Sequence, residues 1–193
     1  MSSTREQFIE TTCELLETQG YHATGLNQIV AESGAPKGSL YYHFPQGKEE
    51  LTAEAIARSA EITAERIRAN IAGTEPAAVA IPRFVERIAD NVEASGYRSG
   101  GPLMTVALET ATSSERLNIA SREGYTRLQA AFAEKLVDGG YDEKLARELA
   151  TFVTSAIEGG IILSRTYHSG DPLRLVARQL RPFLEMMKAE STD

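Results

Sequence analysis

Hydrophobic side chains recur at helical spacing along almost the whole chain, and the alternation typical of β-strands is nearly absent. The pattern predicts a first helix over residues 4–19, capped by Ser3 or Thr4 and ended by Gly20. A short helix with Leu26, Ile29 and Val30 on its apolar face follows, with Thr24 as the candidate cap. The remaining helices are predicted near residues 36–44, 48–70, 77–95, 102–112, 114–138, 142–167 and 172–189.

Short glycine- and proline-containing segments separate these nine helices, and no internal repeat or long linker interrupts them. The sequence therefore predicts an all-α protein. A seam near residue 47 divides it into a bundle of three small helices over residues 1–47 and a larger bundle of six over residues 48–193.

Composition narrows the class of protein. The 193 residues carry a formal net charge of −7, which argues against a protein that coats nucleic acid without specificity. The single cysteine, Cys13, excludes an intramolecular disulfide and a cysteine-rich zinc site, and we expect neither a metal nor a cofactor. The chain shows no secretory leader and no apolar run of membrane-spanning length, so we expect a cytoplasmic protein without membrane contact.

The second and third predicted helices have the lengths and the glycine-containing turn of a helix-turn-helix. Gly34 lies in the turn, and Leu40 and Phe44 are the buried positions of the third helix. No acidic residue occurs from residue 33 to residue 48, in contrast to the chain as a whole. The exposed positions suit DNA, because they offer donors to guanine edges and phosphate oxygens. They are Lys37, Gly38, Ser39, Tyr41, Tyr42 and His43.

The alternative is that Tyr41 and Tyr42 have no binding role and are two half-buried aromatic side chains that pack on a small bundle. The longer motif favours DNA binding. The stretch GYHATGLNQIVAESGAPKGSLYYHF, followed by KEEL, resembles the DNA-binding domain of the TetR family of bacterial regulators. Pro36 and the extended loop Pro45–Gly47 resemble the LmrA/YxaF-like branch of that family, as do the segments GGPLMTVALETA and SAIEGGIILSRT.

The resemblance implies roles for individual residues. Lys37 and Gly38 would contact bases, and phosphate contacts would come from Thr24, Tyr41, Tyr42, His43 and Lys48. Gly25 stands where the family often has Ser or Thr, so only its backbone N–H near the helix start can serve. Residues 48–193 would form a domain for ligand binding and dimerisation.

Apolar stripes on the last two predicted helices suggest a homodimer, in which four helices meet across a twofold axis as in the family. The alternative is that the same stripes form the core of a monomer. The candidate interface residues are Ile162, Leu173, Val176, Leu180, Phe183, Leu184 and Met187.

Aromatic and apolar residues of the C-terminal bundle could line a cavity or fill a core. Spacing alone favours a core, whereas the resemblance implies an effector pocket enclosed by these helices. The candidate lining residues are Leu103, Met104, Leu108, Tyr125, Leu128, Phe132 and Phe152.

The function predicted from these features is a repressor that a small, largely apolar ligand releases from a palindromic operator on double-stranded DNA. The alternative is a helical small-molecule sensor, or an activator, without ligand-released repression. An enzyme is disfavoured, because the three histidines form no Glu-x-x-His pair and the sequence has neither a phosphate-binding loop nor a nucleophile elbow.

Overall fold

A computed structural model describes residues 3–190 of the chain. That range contains nine helices and no strand, which confirms the predicted all-α class. None of these helices combines the length and the apolar character needed to cross a bilayer. The helices are α1 (Thr4–Ala23), α2 (Leu26–Ser33), α3 (Lys37–His43), α4 (Lys48–Ile71), α5 (Ala77–Ala94), α6 (Pro102–Thr110), α7 (Glu115–Asp138), α8 (Glu143–Tyr167) and α9 (Asp171–Glu190).

Helix α1 begins and breaks where its sequence predicts. The Ser3 hydroxyl accepts the Glu6 N–H at 3.2 Å, and the Glu6 carboxylate accepts the Ser3 N–H at 2.8 Å, so Ser3 caps the helix reciprocally. At Gly20 the backbone has φ 79° and ψ 179°, a conformation that is essentially restricted to glycine. The regular helix is therefore interrupted at Gly20, and one further turn follows before α2.

The chain forms two compact units that differ from the predicted division at residue 47. The first unit comprises Met1–Ile62 and Gly101–Tyr125, and the second comprises Thr63–Gly100 and Thr126–Asp193. Helix α6 and the start of α7 are therefore grouped by their contacts with the N-terminal helices. The assignment of DNA binding to residues 1–47 concerns function rather than packing and stays a prediction.

The core of the first unit fixes which faces of α2 and α3 point outward. Ile29 of α2 and Leu40 of α3 are buried, and Phe44 at the end of α3 meets Phe8 of α1 edge to face at 6.3 Å between ring centroids. Burial of these apolar side chains supplies the main driving force for docking two helices that are too short to be stable alone. The opposite face of α3 is left exposed.

Cys13 is a packing residue of this unit, and we expect it to be nearly inert. Its Sγ donates a hydrogen bond to the Ala55 carbonyl at 3.2 Å, and burial raises the pKa of the thiol to about 12. Because the thiolate is the reactive form, its population at pH 8 is about a thousandfold below that of an unperturbed cysteine. Ellman's reagent should react slowly with the native protein and quickly in guanidinium chloride. Equal rates in the two conditions would contradict the low reactivity expected of this partly buried thiol.

In the second unit α9 packs against α5 and α8, and this packing corrects the predicted dimer interface. Leu173, Leu180 and Leu184 are buried inside a single protomer, with Leu180 only 2% exposed. The Tyr141 hydroxyl donates to the Leu184 carbonyl at 2.9 Å within the same core. These three leucines therefore offer almost no surface to a partner subunit, which favours the monomer-core alternative for them.

Candidate DNA-binding site

The turn between α2 and α3 has the geometry that its sequence predicts. Gly34 has φ 65° and ψ 6°, a left-handed conformation that glycine adopts without strain. Pro36 is the N-cap residue of α3, and its carbonyl accepts the Ser39 N–H at 2.9 Å and the Ser39 hydroxyl at 2.6 Å. The Ser39 hydroxyl is thus already used as a donor, although its oxygen can still accept.

The outward face of α3 presents two large aromatic side chains to solvent. Tyr41 is 60% exposed and Tyr42 is 83% exposed, so the half-buried alternative for this pair is wrong. Two adjacent exposed rings beside Lys37 and Gly38 are available to an interaction partner. Each hydroxyl can donate to a phosphate oxygen.

Charge and space on the same face also suit DNA. Lys37 and Gly38 are exposed, and His43 is half-buried. A Cβ at Gly38 would meet nothing within 4 Å, so the backbone there is open to close approach. The Lys37 ammonium makes no ion pair with any other residue of the described range, which leaves it available to a guanine edge or a phosphate. Its charge is not opposed by a nearby acid along residues 33–48.

The start of α2 differs from the prediction. Gly25 is the N-cap residue, without a side-chain cap, and Thr24 is not the cap. The Thr24 hydroxyl instead donates to the Gly20 carbonyl at 2.6 Å, and the residue is buried. The Thr24 hydroxyl is therefore not exposed to make the predicted phosphate contact. The exposed Gly25 backbone at the N-terminus of α2 is better placed for an anion.

Lys48, at the start of α4, is held against the break in α1. Its Nζ donates to the Tyr21 carbonyl at 2.6 Å and lies 4.0 Å from the centroid of the Tyr21 ring. Burial lowers the pKa of Lys48, and the negative charge of Glu109 opposes that effect. An ammonium has three donors, so Lys48 can keep the carbonyl and still donate to a phosphate.

Known proteins resemble the chain in both halves. The family model "Bacterial regulatory proteins, tetR family" matches residues 8–55, and "Transcriptional regulator LmrA/YxaF-like, C-terminal domain" matches residues 77–179. The HTH-type transcriptional regulator YxaF of Bacillus subtilis is 42% identical over 176 residues, which is 91% of this chain and 92% of YxaF. The chain belongs to the TetR family of bacterial transcriptional regulators.

Two further relatives agree with the TetR assignment. The HTH-type transcriptional regulator LmrA of Bacillus subtilis is 40% identical over 169 residues, covering 88% of this chain and 90% of LmrA. The crystal structure of a TetR regulator from Legionella pneumophila matches with a TM-score of 0.79, over 95% of this chain and 98% of that one, at 21% identity. This TetR-family chain is therefore a DNA-binding transcriptional regulator, and the family match over residues 8–55 includes α2 and α3.

The residues predicted to line an effector pocket are not all interior. Leu108 is 72% exposed and Phe152 is 49% exposed, so the structure corrects the prediction for these two. Tyr125 is half-buried. The remaining four are buried, Leu103 and Met104 in the first unit and Leu128 and Phe132 in the second. A pocket role for these four stays a prediction.

A cavity of about 540 Å³ lies in the second unit, and none of the predicted pocket residues lines it. Its wall includes the start of α5 at Ala77, the Tyr141 side chain, and Arg181 and Lys188 of α9. Sequence reasoning missed it, because it is formed by helix ends that are distant along the chain.

The surface of α8 and α9 that remains apolar lies beside the buried stripe. Ile162 is exposed, and Val176, Phe183 and Met187 are half-buried, so these four predicted interface residues stay available. The Phe152 and Phe183 rings are in contact at 4.8 Å between centroids, so the apolar surface continues from α8 onto α9. The prediction missed the exposed Leu163 and Met186, although their spacing from Phe152 and Phe183 places them on the same side of each helix.

Proposed function

We propose that this TetR-family regulator is a homodimeric repressor, acting in the cytoplasm, that leaves a pseudo-palindromic operator when a small, largely apolar ligand binds its C-terminal domain. The observation that carries the DNA-binding half of the proposal is the outward face of α3. There Lys37, Gly38, Tyr41 and Tyr42 are all exposed, next to a run of sequence without acidic residues.

Roles follow from the chemistry of each side chain. Lys37 reads a base edge as a donor, and Gly38 lets the backbone approach the groove. Tyr41, Tyr42 and His43 contribute hydrogen bonds to the phosphate backbone, which fix the register of α3 without reading sequence. The Ser39 hydroxyl already donates to the Pro36 carbonyl, so its remaining acceptor suits a donor on a base edge. The Gly25 N–H and Lys48 contribute two further phosphate contacts.

Dimerisation is supported by the apolar surface that links α8 and α9. We call this surface the α8–α9 face and define it by Phe152, Ile162, Leu163, Val176, Phe183, Met186 and Met187. At Gly159, on α8, a Cβ would meet nothing within 4 Å, so another helix can approach closely there. A twofold dimer would place two copies of α3 in major-groove segments about 34 Å apart, or a multiple of that distance.

Ligand response is typical of the TetR family, and the match of residues 77–179 to the LmrA/YxaF-like C-terminal domain supports it here. The buried pocket candidates are all apolar, which favours an apolar effector over a charged one. Such a ligand shifts the regulator between states only to the extent that its affinities for them differ.

Transcription in vitro tests the proposed sign of control. A promoter that overlaps a site selected by the purified protein should be transcribed less as the protein is added, with half-maximal repression near the dissociation constant for that site. A promoter with the scrambled site is the matched control and should be unaffected. Increased transcription at the intact site would refute the repressor assignment and support an activator.

A further inference from the structure

Glu109 of α6 bonds to the backbone at the break in α1. Its Oε2 accepts the His22 N–H at 2.8 Å, and its backbone carbonyl lies 3.4 Å from Nε2 of the His22 ring. In an uninterrupted helix the His22 N–H would bond to the carbonyl four residues earlier. The break at Gly20 therefore frees a backbone donor, and a carboxylate that is 87 residues away in sequence satisfies it.

Gly20 makes room for that carboxylate. A Cβ at Gly20 would collide with the Glu109 carboxylate and would lie 3.1 Å from Cγ2 of Thr105. Gly20 is buried, so the carboxylate sits against the backbone of α1 itself. The absence of a side chain serves both the unusual backbone conformation and the close approach of Glu109.

The same break positions the start of the DNA-reading pair of helices. The Gly20 carbonyl accepts the Thr24 hydroxyl, and the Tyr21 carbonyl accepts the Thr24 N–H at 3.2 Å as well as the Lys48 ammonium. Gly25, the N-cap residue of α2, follows directly. Glu109 thus completes a cluster that contains the end of α1, the start of α2 and the start of α4.

Two other contacts tie the 101–125 segment to the N-terminal helices. At the N-terminus of α6 the Gly101 N–H donates to Oε1 of Glu17 in α1 at 3.0 Å. At the start of α7 the Arg116 guanidinium donates to the side-chain oxygen of Gln46, in the loop after α3. Helix α6 is therefore bonded to α1 at both ends, and the loop that follows α3 is held as well.

From these contacts we propose that Glu109 is a positioning residue for DNA binding, which holds the α1 break and thereby the orientation of α2 and α3. The proposal rests on the proposed function, and it identifies a contact that controls the orientation of the DNA-binding helices α2 and α3. Any displacement of α6 that withdraws the carboxylate also breaks its hydrogen bond to the His22 N–H. The backbone that leads into α2 is then held less firmly. Glu109 itself touches no DNA in this account.

Electrostatics alone makes the opposite prediction, so the two accounts can be separated. Removing a carboxylate from a DNA-binding unit reduces repulsion of phosphates and should strengthen binding. A positioning role requires that E109A weakens binding, although the variant is less negative. The exposed Glu10 of α1 provides the matched control, because E10A makes the same charge change without touching the break.

The experiment measures affinity for a selected duplex at several salt concentrations in the wild type, E109A, E109Q and E10A. We expect E109A to raise the dissociation constant by about tenfold or more, since a hydrogen bond to a charged group is lost. The salt slope should be unchanged, because no phosphate contact is removed. E109Q, whose amide oxygen can accept the same N–H, should bind nearly as the wild type does, and E10A should bind equally well or slightly better.

Hydrogen exchange at the His22 amide supplies a readout that general loss of stability does not mimic. Protection of this amide should fall in E109A and persist in E109Q and E10A, while amides of the α9 core stay protected. Wild-type DNA affinity in E109A would overturn the proposal. The proposal would also be overturned if E109A and E109Q lost DNA affinity equally while the His22 amide stayed protected in E109Q. Should E109A fail to fold, E109M, which fills the same space without a hydrogen-bond acceptor, is measured in its place on the same two criteria. A wild-type protein that binds no duplex would overturn the proposed function instead, and that result is seen before any variant is compared.

Discussion

Leu180→Glu is expected to prevent the chain from folding at 25 °C. Leu180 is 2% exposed on the face of α9 that packs against α5 and α8. The substitution deletes a buried leucine and places a carboxylate in the apolar core of the second unit. An uncompensated buried charge costs about 3–5 kcal/mol and the lost apolar packing about 2–5 kcal/mol, against a net stability of about 5–15 kcal/mol for a typical domain. Circular dichroism and thermal unfolding measure the result.

The same Leu→Glu change at two other positions separates core from interface. Leu163 lies on the α8–α9 face and is 45% exposed, whereas Leu108 lies on α6, outside that face, and is 72% exposed. Leu163→Glu should fold, elute as a monomer and lose specific DNA affinity, because a single half-site supplies too few contacts. Leu108→Glu should fold and dimerise normally. A folded, monomeric Leu180→Glu protein would instead restore Leu180 to the dimer interface.

Lys37→Ala and Lys48→Ala are expected to weaken DNA binding in different ways. Loss of a base contact at Lys37 should cost about 1–3 kcal/mol in each half-site and relax preference at one base pair. Loss of a phosphate contact at Lys48 should weaken binding to all sequences and reduce the salt slope by about one per subunit. Competition titrations with single-base variants of the site, repeated at several salt concentrations, separate the two effects.

The structure adds a second consequence for Lys48. Because its Nζ also bonds to the Tyr21 carbonyl, Lys48→Ala should destabilise the α1 break in addition to removing a phosphate contact. We therefore expect a larger loss of affinity than the change in salt slope alone accounts for. Equal and sequence-independent losses from the two variants would contradict the assignment of base reading to Lys37.

Local features of the fold were predictable because they depend on neighbours in sequence. The turn at Gly34 needs a left-handed residue, and the spacing of Leu40 and Phe44 determines which face of α3 is buried. The exposure of Tyr41 and Tyr42 follows from that spacing. These features explain why the helix-turn-helix and its outward face agree with expectation.

Features that depend on tertiary partners were not predictable. The stripe on α9 shows which side is apolar, but not whether a helix of the same protomer or of a second one covers it, and Leu180 proved to be internal. The sequence predicts Thr24 as the cap of α2, but its hydroxyl instead bonds to the Gly20 carbonyl at the break in α1. The contact between Glu109 and His22 joins positions 87 residues apart, and no local pattern indicates it.

Selection from a random duplex library, with the wild-type protein and Lys37→Ala in parallel, tests most directly the central claim that α3 reads DNA in a dimer. The wild type should recover a pseudo-palindromic site whose half-sites are centred about 34 Å apart or a multiple of that distance. Lys37→Ala should recover the same symmetric site with information lost at one base pair of each half. Recovery of no symmetric site by the wild type, or of an unchanged site by Lys37→Ala, would contradict the account.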